Sequence, residues 1–387
     1  MRGLNRTTAL SYHRLEYAQS GFVKAPLVAV NHTILRMLAD RGNWMKTELR
    51  EWKRSIVESA ARSALPIMTY PGLELTGRKI IDAVTNPEHQ FACIEQLAKR
   101  YPAIAAVTMM DLSVEAEAFG AQVRFSETEV PTPIGALVTD MSSAELLKVP
   151  QMGEGRTSVY LKAAELAAAR IADRPVFACH IGPFSLAARL FDMKTVMLAV
   201  RRQPALVHVV LGKCLDFLTA YTLAFKAAGA NGVVMAEPAA GLISPKQCDE
   251  FSSSYVRRIV KTVQDDNFFV ILHNCGDTAM LVSSMVSTGA AGLHFGNVVS
   301  LPDVAKQIPP DQLVLGNIEP AGVFCLGSPD LMESQVRSLL KDMEGFNNFV
   351  LSSGCDVPPG SPLANIDAFF AALGQYNAQR VPRVVQD

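Results

Sequence analysis

The sequence lacks a surplus of either charge. Its 387 residues carry 36 lysines and arginines against 37 aspartates and glutamates, a formal net charge of -1. Nucleic-acid binders usually show a marked basic excess, and proteins held at anionic membranes carry polybasic stretches. Neither feature is present, so nucleic acid and membrane surfaces drop out as partners, leaving a small molecule or another protein. No apolar run approaches the ~18–20 residues that a membrane span needs. No apolar core follows the basic residues Arg2 and Arg6, as it would in a signal peptide. Seven cysteines in a chain this long do not form the disulfide framework of a short secreted protein. These absences predict a soluble, cytoplasmic protein whose thiols are reduced and either buried or reserved for metal.

Linkers, low-complexity segments and repeats of fixed period are missing too. What is present is an alternation of element types in a chain that is 49% hydrophobic, enough for a sizeable core. Apolar runs rich in β-branched residues end in Gly, Pro, Asn, Asp or Ser clusters, and segments of helical period follow. Eight runs are expected as strands: 65–71, 105–112, 175–181, 232–238, 268–275, 292–297, 312–318 and 349–354. The connection between the sixth and seventh is short. Repeated strand–helix units with apolar strands imply a parallel sheet buried on both faces, and eight of them fit a closed (β/α)8 TIM barrel of the α/β class. An open doubly wound sheet is the competing architecture. It needs a Gly-rich phosphate loop after its first strand, where this chain has Tyr70-Pro71-Gly72-Leu73. Residues 1–64, with an apolar run at 26–30 and helices expected at 33–41 and 47–63, read as an N-terminal helical cap on a barrel of residues 65–387.

Barrel enzymes place their working groups at the C-terminal ends of strands. Those ends offer a short inventory. His273 and Cys275 lie two apart on the fifth run, so they share a face about 6.5–7 Å apart, a gap that imidazole and thiolate can close onto one zinc. Gly276 allows a sharp turn just beyond them. Cys355, at the eighth strand end, has the chemistry of a third ligand, and three protein ligands would leave one coordination position open, as in catalytic zinc sites. The competing reading is a packed histidine beside a buried thiol, since free cysteine commonly behaves as a small hydrophobe. The fifth and eighth strands are not neighbours, so the loops must lean inward for the sulfurs to meet.

Other strand-end residues are candidates for catalysis or substrate contact. Glu237 is expected to project into the barrel mouth as a fourth ligand, a substrate contact or half of an ion pair, because an isolated buried carboxylate is costly. Asp111 is a second catalytic candidate, with capping of the following helix as its alternative. His180, Asn274, Asn317 and Ser353 are the candidate substrate-binding residues. His294 falls mid-strand, where packing is the default.

Four stretches together are distinctive: Asp111-Leu-Ser-Val-Glu-Ala-Glu-Ala-Phe-Gly120, Gly182-Pro-Phe-Ser-Leu-Ala187, Gly316-Asn-Ile-Glu-Pro320 and Gly354-Cys-Asp-Val-Pro-Pro-Gly-Ser-Pro-Leu-Ala-Asn-Ile366. They resemble the uroporphyrinogen decarboxylase superfamily from about residue 65 to the C-terminus. Within it, the match is to the zinc-dependent corrinoid methyltransferase branch, whose His-x-Cys motif with a distant Cys falls on His273, Cys275 and Cys355. The Arg-Gln-Ala-Gly-Arg segment with which the decarboxylases grip propionates has no counterpart here. The resemblance implies a Zn2+ enzyme that moves a methyl group from a methylcorrinoid, carried by a partner corrinoid protein, to a small-molecule thiol acceptor such as coenzyme M. A metal-free decarboxylase-like lyase and a non-catalytic corrinoid-handling barrel protein are the competing readings. Related barrels often pair, so a homo-oligomer stays open.

Overall fold

The structure, a computed structural model, describes residues 48–380. The apolar run at 26–30 and the helix expected at 33–41 lie outside the described residues. Of the helix expected at 47–63, Leu49–Glu58 forms.

Eight parallel strands make one curled sheet: β1 (Ser63–Ala64), β2 (Ala106–Val107), β3 (Val176–Ile181), β4 (Gly232–Ala236), β5 (Phe269–Asn274), β6 (Gly292–Phe295), β7 (Leu313–Ile318) and β8 (Phe349–Ser353). They run in the order β1-β8-β7-β6-β5-β4-β3-β2. The Ile104 N–H donates to the Ala64 carbonyl at 2.9 Å and ties the two end strands together. The chain is thus an α/β protein, a (β/α)8 barrel. Side chains alternate between two apolar layers. Phe177, Val234, Ile271, Leu315 and Val350 fill the barrel interior, while Ala178, Val233, Leu272, Val314 and Leu351 face the surrounding helices. The short connection between β6 and β7 holds only the five-residue helix Leu301–Ala305.

Six strands lie within two residues of their expected bounds; β1 forms at Ser63–Ala64, just ahead of the run expected at 65–71 and inside the segment expected as the cap, and β2 keeps only two residues of the run expected at 105–112. Pro66 has no N–H to give to a ladder, and the Ile67 N–H donates instead to Ser353 Oγ at 3.0 Å. The Cys179 N–H likewise bonds the Thr108 side chain rather than a β2 carbonyl. Side chains replace ladder partners at both places, so pairing stops early. An antiparallel hairpin, Gln122–Arg124 with Thr132–Ile134, is inserted after β2 and was not expected.

Helix Leu49–Glu58 buries Leu49 and Ile56, seven residues apart and so on one stripe. Trp52 Nε1 donates to the Ile104 carbonyl and its ring meets Phe177 at 5.7 Å. Lys53 Nζ donates to the Asp311 carbonyl. Both acceptors stand just before strands begin, so the helix plugs the N-terminal mouth, opposite the strand ends that carry the candidate chemistry. Among the described residues, Pro204–Ala227 is long and apolar enough to cross a membrane by length and composition. Its Leu211, Phe217, Leu218 and Phe225 belong to the outer core layer.

Candidate metal centre

Strand alternation carries His273 to the interior, because Phe269 and Ile271 face there on the same strand. Its register neighbours are Ala236 on β4 and His294 on β6. Cys275 continues the same face one step past the strand end. Cys355 follows β8 by two residues, with β6 and β7 between it and β5. The loop after β6 spans that gap. A Cβ built at Gly296 would lie 2.3 Å from the Cys275 carbonyl oxygen, and one at Gly354 would lie 2.7 Å from the Asn297 nitrogen. These two glycines let three loops stack, the β5 loop on the β6 loop and the β6 loop on the β8 loop. Asn317 Nδ2 donates to the carbonyls of Gly296 and Val299, both at 2.9 Å, and holds the middle loop in place.

The outcome is one cluster. Ligand atoms of His273, Cys275 and Cys355 all lie within 4.8 Å of one another. His273 Nε2 is buried without a hydrogen-bond partner, a costly state for an imidazole nitrogen unless something binds it. The sulfurs of Cys275 and Cys355 interact directly within this cluster. That contact takes Cys275 well below the ordinary thiol value and, together with burial, drives Cys355 above it. One imidazole and two sulfurs form a zinc-type donor set with room for a fourth ligand. The residues present therefore fit a zinc ion.

Behind His273 stands a chain of side chains. His273 Nδ1 lies 2.8 Å from His294 Nδ1, and His294 Nε2 lies 2.8 Å from Ser352 Oγ. The Ser352 hydroxyl donates to the Leu65 carbonyl at 2.6 Å. His294, Ser352 and His273 are all at most 1% exposed.

The remaining candidates lie elsewhere. Glu237 does not enter the barrel mouth. Ala236 takes the interior position, so Glu237 turns outward and caps helix Pro183–Phe191, with Oε1 accepting from the Phe184 and Ser185 N–H groups and Oε2 from Ser252. Burial pushes its carboxyl up to about 7. Asp111 is saturated. Its two oxygens accept from the Ser113 N–H, the Ser113 hydroxyl, Arg156 Nη1 and the Tyr160 hydroxyl, which uses the roughly four lone-pair sites a carboxylate has. His180 also faces outward, because Cys179 takes the interior place. Its Nδ1 meets the Ile181 carbonyl, its Nε2 meets Thr222, and its ring stacks on Phe225. Burial lowers its pKa to about 4. Asn274 donates to the Glu237 carbonyl and accepts from the Gly276 N–H, stapling the β4 and β5 loops. Asn317 spends its amide on the β6 loop as described, and Ser353 is the acceptor that ends the β1 ladder. Each of these six supports the frame through the partners named.

Sequence reasoning read His294 as a packing residue and passed over Ser352, whose only signal was a serine at the end of the last strand. It also passed over Asp356, next to Cys355. Burial raises the Asp356 carboxyl well above the usual range, and Oδ1 has no partner. Glu115 matches it, pushed up to about 8 by burial with Oε2 unpartnered.

A (β/α)8 barrel in which an imidazole and two sulfurs converge at the strand C-termini defines a class of barrel with a candidate metal centre where barrel enzymes keep their active sites. The family model for uroporphyrinogen decarboxylase (URO-D) matches residues 62–376, and the chain belongs to that family. Among its relatives are the methylcobamide:CoM methyltransferase MtbA of Methanosarcina acetivorans, 26% identical over 271 residues (69% of this chain, 78% of the relative), and the uroporphyrinogen decarboxylase of Hydrogenovibrio crunogenus, 26% identical over 303 residues (76% of this chain, 84% of the relative). In fold the chain is similar to a methyltransferase from Methanosarcina mazei, with a TM-score of 0.76 and 22% identity, covering 85% of this chain and 98% of that one.

Proposed function

We propose that this protein is a cytoplasmic, zinc-dependent methyltransferase that moves a methyl group from a methylcorrinoid on a partner protein to a thiol such as coenzyme M. The observation that carries this reading is the convergence of His273, Cys275 and Cys355, with the buried Nε2 lone of any partner. The methyltransferase relatives support the donor and the acceptor class.

The chain's own residues have definite tasks. His273, Cys275 and Cys355 would hold the ion and leave one position for the acceptor. Zinc bound there would keep an acceptor thiol deprotonated at neutral pH, where a free thiol with pKa ≈ 8.5 is mostly protonated. An acceptor held there would give its proton to water and use its sulfur as nucleophile toward the methyl carbon of the corrinoid substrate, whose carbon–cobalt bonding pair would stay on the corrinoid. The stacked loops after β5, β6 and β8 fix the three donors, so the acceptor sulfur meets the methyl group in one orientation.

Decarboxylase relatives match at the same identity, so a metal-free lyase is the rival. A lyase acting on carboxylates would call for free cations in its pocket. Arg156 is paired with Asp111 and Glu117, but Arg189, which also feels the charge of Asp111, makes no ion pair among the described residues, so metal content rather than cation count separates the two readings. The test is metal analysis of protein purified without chelator, combined with methyl transfer from methylcobalamin to a panel of thiols. About one zinc per chain and a methylated thiol are expected, with both lost in Cys355→Ala. A metal-free preparation that cannot be loaded with zinc would overturn the reading.

A further inference from the structure

We propose that His294 and Ser352 are positioning residues that fix the tautomer of His273, so that its Nε2 presents a bare lone pair to the metal position. The inference rests on the zinc reading for its purpose, but the proton arrangement follows from hydrogen-bond directions in the chain itself.

The logic starts at Leu65. A carbonyl can only accept, so the Ser352 hydroxyl spends its single proton on it. Ser352 Oγ can then only accept from its other neighbour, so His294 Nε2, 2.8 Å away, carries the N–H. His294 is 1% exposed and touches no carboxylate through either nitrogen. A second proton would make it an unpaired buried cation, which is costly. The ring is therefore neutral, and its Nδ1 is an acceptor. His273 Nδ1, facing it at 2.8 Å, must supply the proton. With a proton fixed on its Nδ1, His273 is left with Nε2 as the nitrogen that can offer a lone pair, and Nε2 is the buried atom that lies unpartnered among the sulfurs.

Three hydrogen bonds thus run from Leu65, just past β1, through β8 and β6 to β5, and each one forces the next. The register supports this, since His273 and His294 are directly paired residues on adjacent strands. Ligand histidines in metalloproteins are commonly oriented by such a partner on the other ring nitrogen, and losing it costs about 10–100-fold in metal affinity. Without Ser352 the His294 ring is free to move its proton to Nδ1. His273 would then have to accept there and carry its own proton on Nε2, where zinc must displace it.

The experiment compares wild type with Ser352→Ala, Ser352→Thr, His294→Leu and His294→Asn. Zinc affinity is read by competition with a chromophoric chelator. The His273 tautomer is read by nitrogen-15 NMR of the metal-free, histidine-labelled full-length protein. Ser352→Ala and His294→Leu should weaken zinc binding about 10–100-fold. Ser352→Thr, which keeps the hydroxyl, and His294→Asn, which keeps an acceptor near the Nδ1 position, should recover most of that loss. In wild type the His273 Nε2 should resonate as an unprotonated nitrogen, and Ser352→Ala should shift it toward the protonated form. If His294→Leu does not fold, the two Ser352 variants decide the matter. Unchanged zinc affinity in Ser352→Ala, or a protonated Nε2 in the wild-type metal-free protein, overturns the relay. A wild-type protein that takes up no zinc would overturn the function proposed above, while the NMR measurement would still judge the relay.

Discussion

Gly296 rests on the backbone of Cys275, so closely that a Cβ at position 296 would stand 2.3 Å from the Cys275 carbonyl oxygen and 2.8 Å from its Cα. The obstacle is main chain on both sides, so no side-chain rotation relieves it. The β6 loop is also what brings the β5 and β8 loops together, because Gly354 packs on Asn297 in the same stack.

Gly296→Ala is therefore expected to push Cys275 away from Cys355. Overpacking of this kind costs about 1–3 kcal/mol, and zinc affinity should fall about tenfold or more as the donor set opens. Gly212→Ala is the control. It lies inside helix Pro204–Ala227 with nothing within 4 Å of its added Cβ, and alanine there should stabilise the protein by roughly 0.5–1 kcal/mol. Urea unfolding and chelator competition on both variants check this. A Gly296→Ala protein that melts and binds zinc like wild type would remove the loop stack from the account.

How the site was legible in the sequence depends on one property of barrel strands. Both faces of β3 and β4 are apolar, so alternation fixes which residues share a face but not which face is inside. For β5 the ligand chemistry settled the phase: His273 and Cys275, two apart, had to be on the same side. For β3 and β4 nothing settled it, and His180 and Glu237 were assigned to the interior that Cys179 and Ala236 occupy. The adjacent serines at 352 and 353 pose the same ambiguity, and Ser352, not Ser353, faces inward to His294. His294 was hidden for a different reason. Its role depends on the β5–β6 register, which pairs it with His273, and register between strands is not written in either strand alone. The barrel was easier to read because eight apolar runs with helical intervals leave few alternatives.

Asp111 and Arg156 form a buried pair, with side chains 0% and 7% exposed and 2.5 Å apart. Asp111→Asn leaves the guanidinium without that partner and returns a donor toward either Arg156 or Tyr160. Breaking a buried pair from one side typically costs 3–5 kcal/mol. Glu117, also bonded to Arg156, offsets part of that, so a loss of about 3 kcal/mol is expected. Zinc stoichiometry should stay near one per chain, because Asp111 makes none of the contacts that hold the donor set. The check is denaturant unfolding alongside metal analysis. Full stability in Asp111→Asn with a collapse of methyl transfer would instead place Asp111 in catalysis.

Glu237 gives a pH prediction whose sign is fixed by its position. Burial raises its carboxyl from the ordinary 4.5 to about 7, against hydrogen bonds from Ser252 and the Ser185 and Phe184 N–H groups that favour the charged form. The folded protein keeps a proton that the unfolded chain releases above about pH 4.5. That proton's contribution to stability is complete below the unfolded value and disappears as pH rises through 7. Glu237→Gln carries no ionisable proton, keeps a carbonyl oxygen for the Phe184 N–H, and can donate its amide to a rotated Ser252. Relative to this variant, wild type should lose stability between about pH 4.5 and 7. At about 1.36 kcal/mol per pKa unit, the change is on the order of 3–4 kcal/mol over the whole window. Urea midpoints of the two proteins from pH 5 to pH 8 measure it. A stability difference that stays flat over that range, or moves in favour of wild type as pH rises, would mean that the helix N-terminus holds Glu237 as a carboxylate in the folded state.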